Sequence, residues 1–404
     1  MKKNVISAVS VFTVVLCLFS VACGRPSRPL IRKDDSSGYM YEEPAPDSGK
    51  VYSDPIEVFS DDILPAIDGR FYYDQLGEKS RTVYNQLYEG CLSFKDKINI
   101  SADDNDYVYQ AQYALSYDHP EFFWIKSFTI HTTNSKPVAV SYDVPSDCEN
   151  VYNKIDVFTD SIVAAANEAT TLYGRIRYIY EYIINITDYD PYSEYNQDIR
   201  SVFLNHASVC SGYARAFQYL CHKIGVECAY VDGIAGGGSH AWNILQMYGN
   251  YYWVDVTWGD PVFENRNENN MTYDYFMVSD AVIDQTHTLN RSIRYTNYEA
   301  RDFFTFPQCN DDSYNYYVIN GMYFTSYNRT EMKDYILSKM RQGQKENIII
   351  KFSDFYSYDA AVQDLLIGEY IADILRNYYG SRGFRWEYIY SDSGFRIDLS
   401  VYDN

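Results

Sequence analysis

Residues 208–225, SVCSGYARAFQYLCHKIG, are the stretch that decides the fold. Apolar side chains recur there at helical spacing, at Ala214, Phe217, Leu220, Cys221 and Ile224. Ser208 is a suitable N-cap and Gly225 stands where a helix commonly ends in glycine. This pattern predicts a helix whose first turn carries Cys210. Free backbone N–H groups and the helix dipole in that turn favour an anion, which lowers the pKa of a thiol and can stabilise an oxyanion.

The next thirty or so residues predict an antiparallel sheet. Three strand patterns follow the helix, at 227–234, 240–247 and 251–257. On paired strands, His240 and Asp255 lie at comparable, though not opposite, heights, so the two side chains can hydrogen-bond directly. The glycine run 236–238 is either a plain turn or a mobile lip over a site. A thiol, an imidazole and a carboxylate are the groups that nucleophilic acyl chemistry requires.

Several motifs together resemble a bacterial transglutaminase-like domain of the papain-like cysteine superfamily. They are VCSGYA at 209–214, GVEC at 225–228, HAWN at 240–243, WVDVTW at 253–258, and the flanking DHPEFFW at 118–124 and YDYF at 273–276. The resemblance covers roughly residues 107–280. It implies Cys210 as the nucleophile, His240 as general base and acid, and Asp255 as the residue that orients the imidazole.

Two positions before the cysteine depart from a simple match. His206 stands where related sequences tend to have glycine, and it is interpreted as a loop histidine rather than a modifier of Cys210. No side chain is an unambiguous second oxyanion donor, and Asn205 is the candidate by position. The other histidines, His119, His131, His222 and His287, are interpreted as isolated.

The whole-chain composition restricts the possible partners. The chain has 404 residues and a formal net charge of −21, so nucleic acid is not an expected partner. No cofactor is expected, and the cysteine positions do not resemble a zinc site. There are eight cysteines. No spacing demands a disulfide, and Cys221 is predicted to be a buried free thiol.

The N-terminus predicts export. Lys2 and Lys3 precede a largely apolar run at 5–22, and SVACG at 20–24 resembles a lipobox, with Ser20 where leucine is usual. We expect a signal peptide at 1–22, lipidation at Cys23 and a flexible tether at 23–60. A plain cleaved signal peptide and an uncleaved anchor are the alternatives. The expected location is the membrane surface, at the cell surface or periplasmic side.

The predicted fold class is α+β. We expect an N-terminal α/β module at 61–145, a transglutaminase-like catalytic domain at 146–300, with the cysteine helix packed on an antiparallel sheet, and a C-terminal α+β domain at 301–404. Predicted helices are 72–92, 107–117, 172–186, 329–341 and 359–379, with one more through Ile155 and Ala165. Predicted strands outside the catalytic sheet are 122–125, 138–140, 316–325, 347–352, 384–390 and 395–401.

The predicted function is acyl transfer on a protein or peptide amide through a thioester at Cys210. Water as acceptor gives a peptidase or amidase, and an amine as acceptor gives a transglutaminase; the same three residues serve both. Cell-wall peptides are one possible substrate. The alternative is a catalytically silent surface binding module that kept the fold.

Overall fold

The computed structural model describes residues 70–260, 271–289, 304–392 and 394–403, together with the backbone of short strand segments at 9–14, 31–32, 294–295 and 298–299. Within the described residues, 70–314 and 315–403 fall in two compact units. The predicted signal peptide, the tether and Cys23 lie outside the described residues, apart from the backbone of Val9–Val14 and Ile31–Arg32. Among the helices that are described, none has the length and apolar character needed to cross a bilayer.

Helices and strands alternate irregularly in the first unit. Its helices are Glu78–Leu92, Asn105–Asp118, Cys148–Ala166, Leu172–Ile186, Ile199–Phe203, Cys210–Lys223 and Asp280–Ile283. Its strands with described side chains are Lys97–Asn99, Phe128–Thr133, Lys136–Tyr142, Asp188–Tyr189, Ala207–Ser208, Cys228–Ala235, Gly238–Met247, Asn250–Val254, Phe276–Val278 and His287–Leu289. The mixture of helices and sheets confirms the predicted α+β class.

The central sheet of this unit is antiparallel and five-stranded. Its strand order is Phe276–Val278, Asn250–Val254, Gly238–Met247, Cys228–Ala235 and His287–Leu289. Ala235 pairs with Gly238, and the two intervening glycines have φ of +58° and +82°. Positive φ at both central residues is the geometry of a tight two-residue hairpin. The glycine run therefore continues the strand pair as a short turn, and its mobility as a lip over the site stays a prediction.

The cysteine helix Cys210–Lys223 is enclosed by its surroundings. Every residue from Cys210 to Cys221 is buried, on all faces of the helix. Asn243 of the central sheet donates its amide to the backbone carbonyl of Ala214 at 2.9 Å, which fixes the strand against the helix. Gly225 adopts φ +80° just after the helix, as expected for a glycine C-cap. The N-cap is Val209 rather than Ser208.

In the segment before Cys148, one predicted helix and one predicted strand differ from the structure. The predicted helix 72–92 is a 3-10 turn at Tyr73–Gln75 followed by a helix that starts at Glu78. The predicted strand 122–125 is a pair of turns, in which Phe122 N–H donates to the His119 carbonyl and Ile125 N–H to the Phe122 carbonyl. All four side chains of this run are buried. A short apolar run signals burial, and here turns rather than strand pairing provide it.

The second unit is a sheet covered by helices. Its helices are Tyr316–Ile319, Arg329–Arg341, Phe355–Ala361 and Tyr370–Tyr379, and its strands with described side chains are Tyr323–Phe324, Ile348–Phe352, Phe384–Ser391 and Arg396–Asp403. The predicted strand 316–325 is instead a helical turn and a two-residue strand. The predicted helix 359–379 is broken, because a π-helical segment, Val362–Ile367, leads to Glu369 in the left-handed region at φ +56°.

Candidate active site

Cys210 is the first residue of its helix. Val209 caps the helix in an extended conformation, with φ −119° and ψ 179°, and supplies no side-chain cap. The backbone N–H groups of a first helical turn have no partner within the helix. The structure thus confirms that Cys210 opens the helix, and the activation of its thiol by the helix start stays a prediction.

The described cysteines Cys91, Cys148, Cys221, Cys228 and Cys309 are free and buried. The predicted free, buried state of Cys221 is therefore confirmed.

His240 and Asp255 form a buried hydrogen bond. Nε2 of His240 lies 2.7 Å from Oδ2 of Asp255, and the two residues are 3 % and 0 % exposed. Asp255 comes directly after the strand Asn250–Val254, whose Val254 pairs with Asn243. A carboxylate only accepts, so Nε2 of His240 carries the proton of this bond. In the neutral ring, Nδ1 is then the nitrogen with a free lone pair, which is the state a general base needs.

Asp255 is held as a carboxylate. Its Oδ1 accepts the backbone N–H of Trp258 at 3.1 Å, and its own N–H donates to the Tyr275 carbonyl at 2.9 Å. Burial works against ionisation, yet the charge and hydrogen bond of His240, with the hydrogen bond of His287, hold the pKa of Asp255 well below its usual value. The anion can therefore stabilise an imidazolium at His240.

The structure adds a residue that the sequence did not predict, His287. Its Nε2 lies 3.1 Å from the same Oδ2 of Asp255 that His240 contacts. The interpretation of His287 as isolated is therefore wrong. Its strand pairs with Cys228–Ala235, so it enters the site from the far edge of the sheet. A pairing motif in the sequence would not reveal this contact, because 32 residues separate His287 from Asp255.

An aromatic wall encloses the two imidazoles. The ring of His287 lies 4.6 Å from Trp258, 5.0 Å from Tyr275 and 5.0 Å from Trp242, between ring centroids. The ring of His240 lies 5.5 Å from Trp258. Such apolar surroundings lower the local dielectric constant and strengthen the electrostatic interaction between Asp255 and the imidazoles.

Asn205 and His206 lie in the loop before the cysteine. The Asn205 amide donates to the Glu194 carbonyl at 2.9 Å, and the residue is exposed. His206 has φ +54°, and its carbonyl accepts the N–H of Asp188 at 2.8 Å. These contacts give both residues a role in holding the loop, and the role of Asn205 as an oxyanion donor stays a prediction.

The side chains of the site are also of the types that bind metal ions. Ligand atoms of His240, Asp255 and His287 all lie within 4.8 Å of one another. Two imidazoles and a carboxylate match the ligands of many catalytic zinc sites. However, each imidazole Nε2 faces Oδ2 at hydrogen-bonding distance, so two N–H protons already satisfy the cluster. In this structure the three side chains form a hydrogen-bonded group.

Comparisons with known proteins identify the same region. Residues 159–258 match the model of the transglutaminase-like superfamily, a span that contains Cys210, His240 and Asp255. The chain thus carries a transglutaminase-like domain. The kyphoscoliosis peptidases of Homo sapiens and Mus musculus are 25 % and 26 % identical to it over 140 residues. The matches cover 28 % and 30 % of this chain and 21 % of each relative, so the chain spans about a fifth of their length.

Two solved structures are similar over part of the chain. One is named as a TGase, with 15 % identity and a TM-score of 0.24 over 32 % of this chain and 44 % of that one. The other, from Cytophaga hutchinsonii, is named as a “putative cysteine protease”, with 18 % identity and a TM-score of 0.24 over 32 % of this chain and 56 % of that one.

Proposed function

We propose that this chain, through its transglutaminase-like domain, catalyses acyl transfer from a protein or peptide amide to an acceptor through a thioester at Cys210. The observation that carries the proposal is the buried hydrogen bond between Nε2 of His240 and Oδ2 of Asp255. It leaves Nδ1 as the basic nitrogen of a ring whose orientation is fixed. This chemistry requires a nucleophile, a base and a residue that orients the base.

The first half of the reaction forms the thioester. Nδ1 of His240 takes the proton of the Cys210 thiol, and the thiolate attacks the carbonyl carbon of the amide. The negative charge passes to the carbonyl oxygen, where the positive end of the cysteine-helix dipole can stabilise it. His240 then returns the proton to the amide nitrogen, the C–N bond breaks, and an amine leaves.

The second half resolves the thioester. With His240 as base, water attacks the acyl carbon and releases a carboxylic acid, or a primary amine attacks and forms a new amide. The sulfur leaves as thiolate and recovers a proton from His240. Water is the default acceptor for a site that does not exclude it, so we propose hydrolysis as the main reaction.

The proposed setting is outside the cytoplasm. The apolar run at 5–22 and the motif SVACG at 20–24 support export and a lipid anchor at Cys23. An anchored enzyme of this kind would meet surface proteins or the peptides of a cell wall. The formal net charge of −21 supports a protein or peptide substrate over nucleic acid.

Site-specific alkylation tests the activated thiol without a known substrate. After reduction, the rate at which iodoacetamide modifies Cys210 is followed by mass spectrometry of the Cys210 peptide as a function of pH. We expect a reactive thiolate well below pH 8.5, the usual thiol pKa, and loss of that low-pH reactivity in His240→Ala. A profile with one ordinary thiol step, unchanged in His240→Ala, would refute the proposal.

Turnover of 4-nitrophenyl acetate tests the acyl transfer itself. We expect reduced protein to release nitrophenolate in a burst, and Cys210→Ala to release none above background. Putrescine added to the reaction separates the two acceptors. If an amide of putrescine forms in place of acetate, the enzyme is a transferase; if acetate persists, it is a hydrolase.

A silent binding module that keeps the fold is the second candidate. The two candidates differ in whether turnover depends on Cys210. A reduced protein that still lacks Cys210-dependent nitrophenolate release, with its fold intact by circular dichroism, supports the binding module.

A further inference from the structure

Oδ2 of Asp255 is shared by two imidazoles. His240 contacts it through Nε2 at 2.7 Å and His287 through Nε2 at 3.1 Å. Oδ1 takes the Trp258 backbone N–H. The carboxylate that orients His240 therefore receives three hydrogen bonds, and one of them comes from a second imidazole that the proposed chemistry does not require.

His287 is itself fixed on its other side. Its Nδ1 lies 2.8 Å from the Thr286 hydroxyl, which lies 3.0 Å from the Tyr275 hydroxyl. The Tyr275 carbonyl also accepts the N–H of Asp255. Tyr275 therefore links the backbone of Asp255 to the ring of His287, and the orientation of His287 toward Oδ2 is set by the fold.

His287 donates Nε2–H to Asp255, because a carboxylate oxygen only accepts. Burial lowers its pKa below the usual value, although the bond to Asp255 acts in the opposite direction. A neutral imidazole has one N–H, and the acceptor at Oδ2 requires it on Nε2. Among the described residues, the titratable side chains that face His287 by hydrogen bond or ring contact are Asp255, His240 and Tyr275.

We infer that His287 is a positioning residue, which donates Nε2–H to Oδ2 of Asp255 and thereby fixes the carboxylate and limits how strongly it stabilises the His240 imidazolium. The inference rests on the proposed function of Cys210 and His240. A hydrogen bond from a neutral donor disperses charge on a carboxylate. Without it, the undivided charge of Asp255 acts on His240, so the imidazolium should persist to higher pH.

Two substitutions at His287 distinguish the effect of its hydrogen bond from the effect of its packed ring. His287→Phe keeps a planar ring within the wall of Trp242, Trp258 and Tyr275 but donates no hydrogen bond. His287→Gln places an amide N–H near the position of Nε2. We expect His287→Phe to lower the turnover of 4-nitrophenyl acetate about tenfold or more, with KM nearly unchanged, and His287→Gln to restore most of the rate.

The pH profile of Cys210 alkylation is the readout that a purely structural role would not change. For a thiolate–imidazolium pair, the iodoacetamide rate has a lower step for thiolate formation and an upper step for loss of the His240 proton. We expect the upper step to move up by about one unit in His287→Phe and to stay in place in His287→Gln. Thermal unfolding of both variants checks the fold.

The outcomes separate this inference from the proposed function. If wild type shows two steps and His287→Phe has the same upper step, the positioning role is wrong while the Cys210–His240 pair stands. If wild type shows a single ordinary thiol step, the pair itself fails. If wild-type turnover requires zinc, is abolished by a chelator, and His287→Phe no longer binds zinc, His287 is a metal ligand and the inference is overturned.

Discussion

The hydroxyl oxygens of Ser201 and Ser208 lie 2.6 Å apart and fill the space beside Gly212. Ser208 precedes the cysteine helix and Ser201 belongs to the helix Ile199–Phe203, so this contact joins the two helices at the end that carries Cys210. Gly212, two residues after Cys210, faces both hydroxyls. A side chain there has no room.

Gly212→Ala should displace the start of the cysteine helix. A Cβ at this position would overlap the Ser208 hydroxyl and lie 2.7 Å from the Ser201 hydroxyl, closer than real Cβ atoms approach. We expect a loss of about 1–3 kcal/mol in the free energy of unfolding, as for an overpacked core. Urea denaturation measures it, and Cys210 alkylation should slow in the same variant.

Gly77→Ala is the matched control for that substitution. No atom lies within 4 Å of a Cβ built at Gly77, and its φ of −71° suits any residue. We expect a change of only a few tenths of a kcal/mol, from the weaker N-cap. Equal effects of the two substitutions would argue against the close approach at Gly212.

Asp255→Asn should remove most of the turnover while the protein stays folded. The amide fits the same space, but its neutral oxygen stabilises an imidazolium poorly, and its N–H group opposes the N–H of one imidazole. We expect the burst of nitrophenolate from 4-nitrophenyl acetate to slow about a hundredfold or more. Stopped-flow absorbance after reduction measures it.

Asp311→Asn is a control for a hydrogen-bonded carboxylate that lies outside the site. The Asp311 carboxylate accepts hydrogen bonds from Tyr252, Asn250 and Ser313 at the surface. Its burst rate should match that of the wild type. A burst in Asp255→Asn as fast as in Asp311→Asn would show that Asp255 does not assist His240.

Asn205→Ala tests the oxyanion donor expected from the sequence. Because the Asn205 amide donates to the Glu194 carbonyl in an exposed loop, we expect less than a threefold change in the acylation rate with 4-nitrophenyl acetate. Loss of a true oxyanion donor costs about 10²–10³ in rate. A loss of that size, with Cys210 alkylation unchanged, would restore Asn205 to the site.

Local sequence patterns predicted the helix and the strands that carry the site. They did not predict the contacts made between elements that are distant in the sequence. The cysteine helix follows from its apolar spacing and Gly225, and the pairing of His240 with Asp255 follows from a hairpin with a short turn. The contact of His287 with Asp255 was not predicted, because His287 lies on a short strand at the other edge of the sheet. The apolar run 122–125 predicts a strand as readily as buried turns, because both place apolar side chains in the core.

Asp118, in the DHPEFFW motif, connects the start of the described chain to the helix Asn105–Asp118. It accepts the N–H groups of Tyr72 and Tyr73, each at 2.9 Å, and the Tyr84 hydroxyl at 3.0 Å. Burial raises the pKa of Asp118 to about 7, although a neighbouring charge on His119 and these donors oppose the shift. The native state then holds a proton that the unfolded state, with a pKa of about 3.9, has released.

The contribution of Asp118 to the stability of the protein should therefore fall as the pH rises from about 4 to about 7, because this carboxyl binds more protons in the native state than in the unfolded state in that window. Asp118→Asn removes the titration. The unfolding free energy of wild type minus that of Asp118→Asn should decrease across the window, by roughly a few kcal/mol at most, and level off above it. Guanidinium denaturation at several pH values measures the difference.

Tyr84→Phe tests the direction of the effect. It removes a donor that favours the ionised carboxylate, so the pKa of Asp118 should rise further and the loss of stability should extend to higher pH. If the difference between wild type and Asp118→Asn instead grows with pH, the three donors outweigh burial, and Asp118 is an ionised carboxylate whose hydrogen bonds hold the segment 72–73 in place.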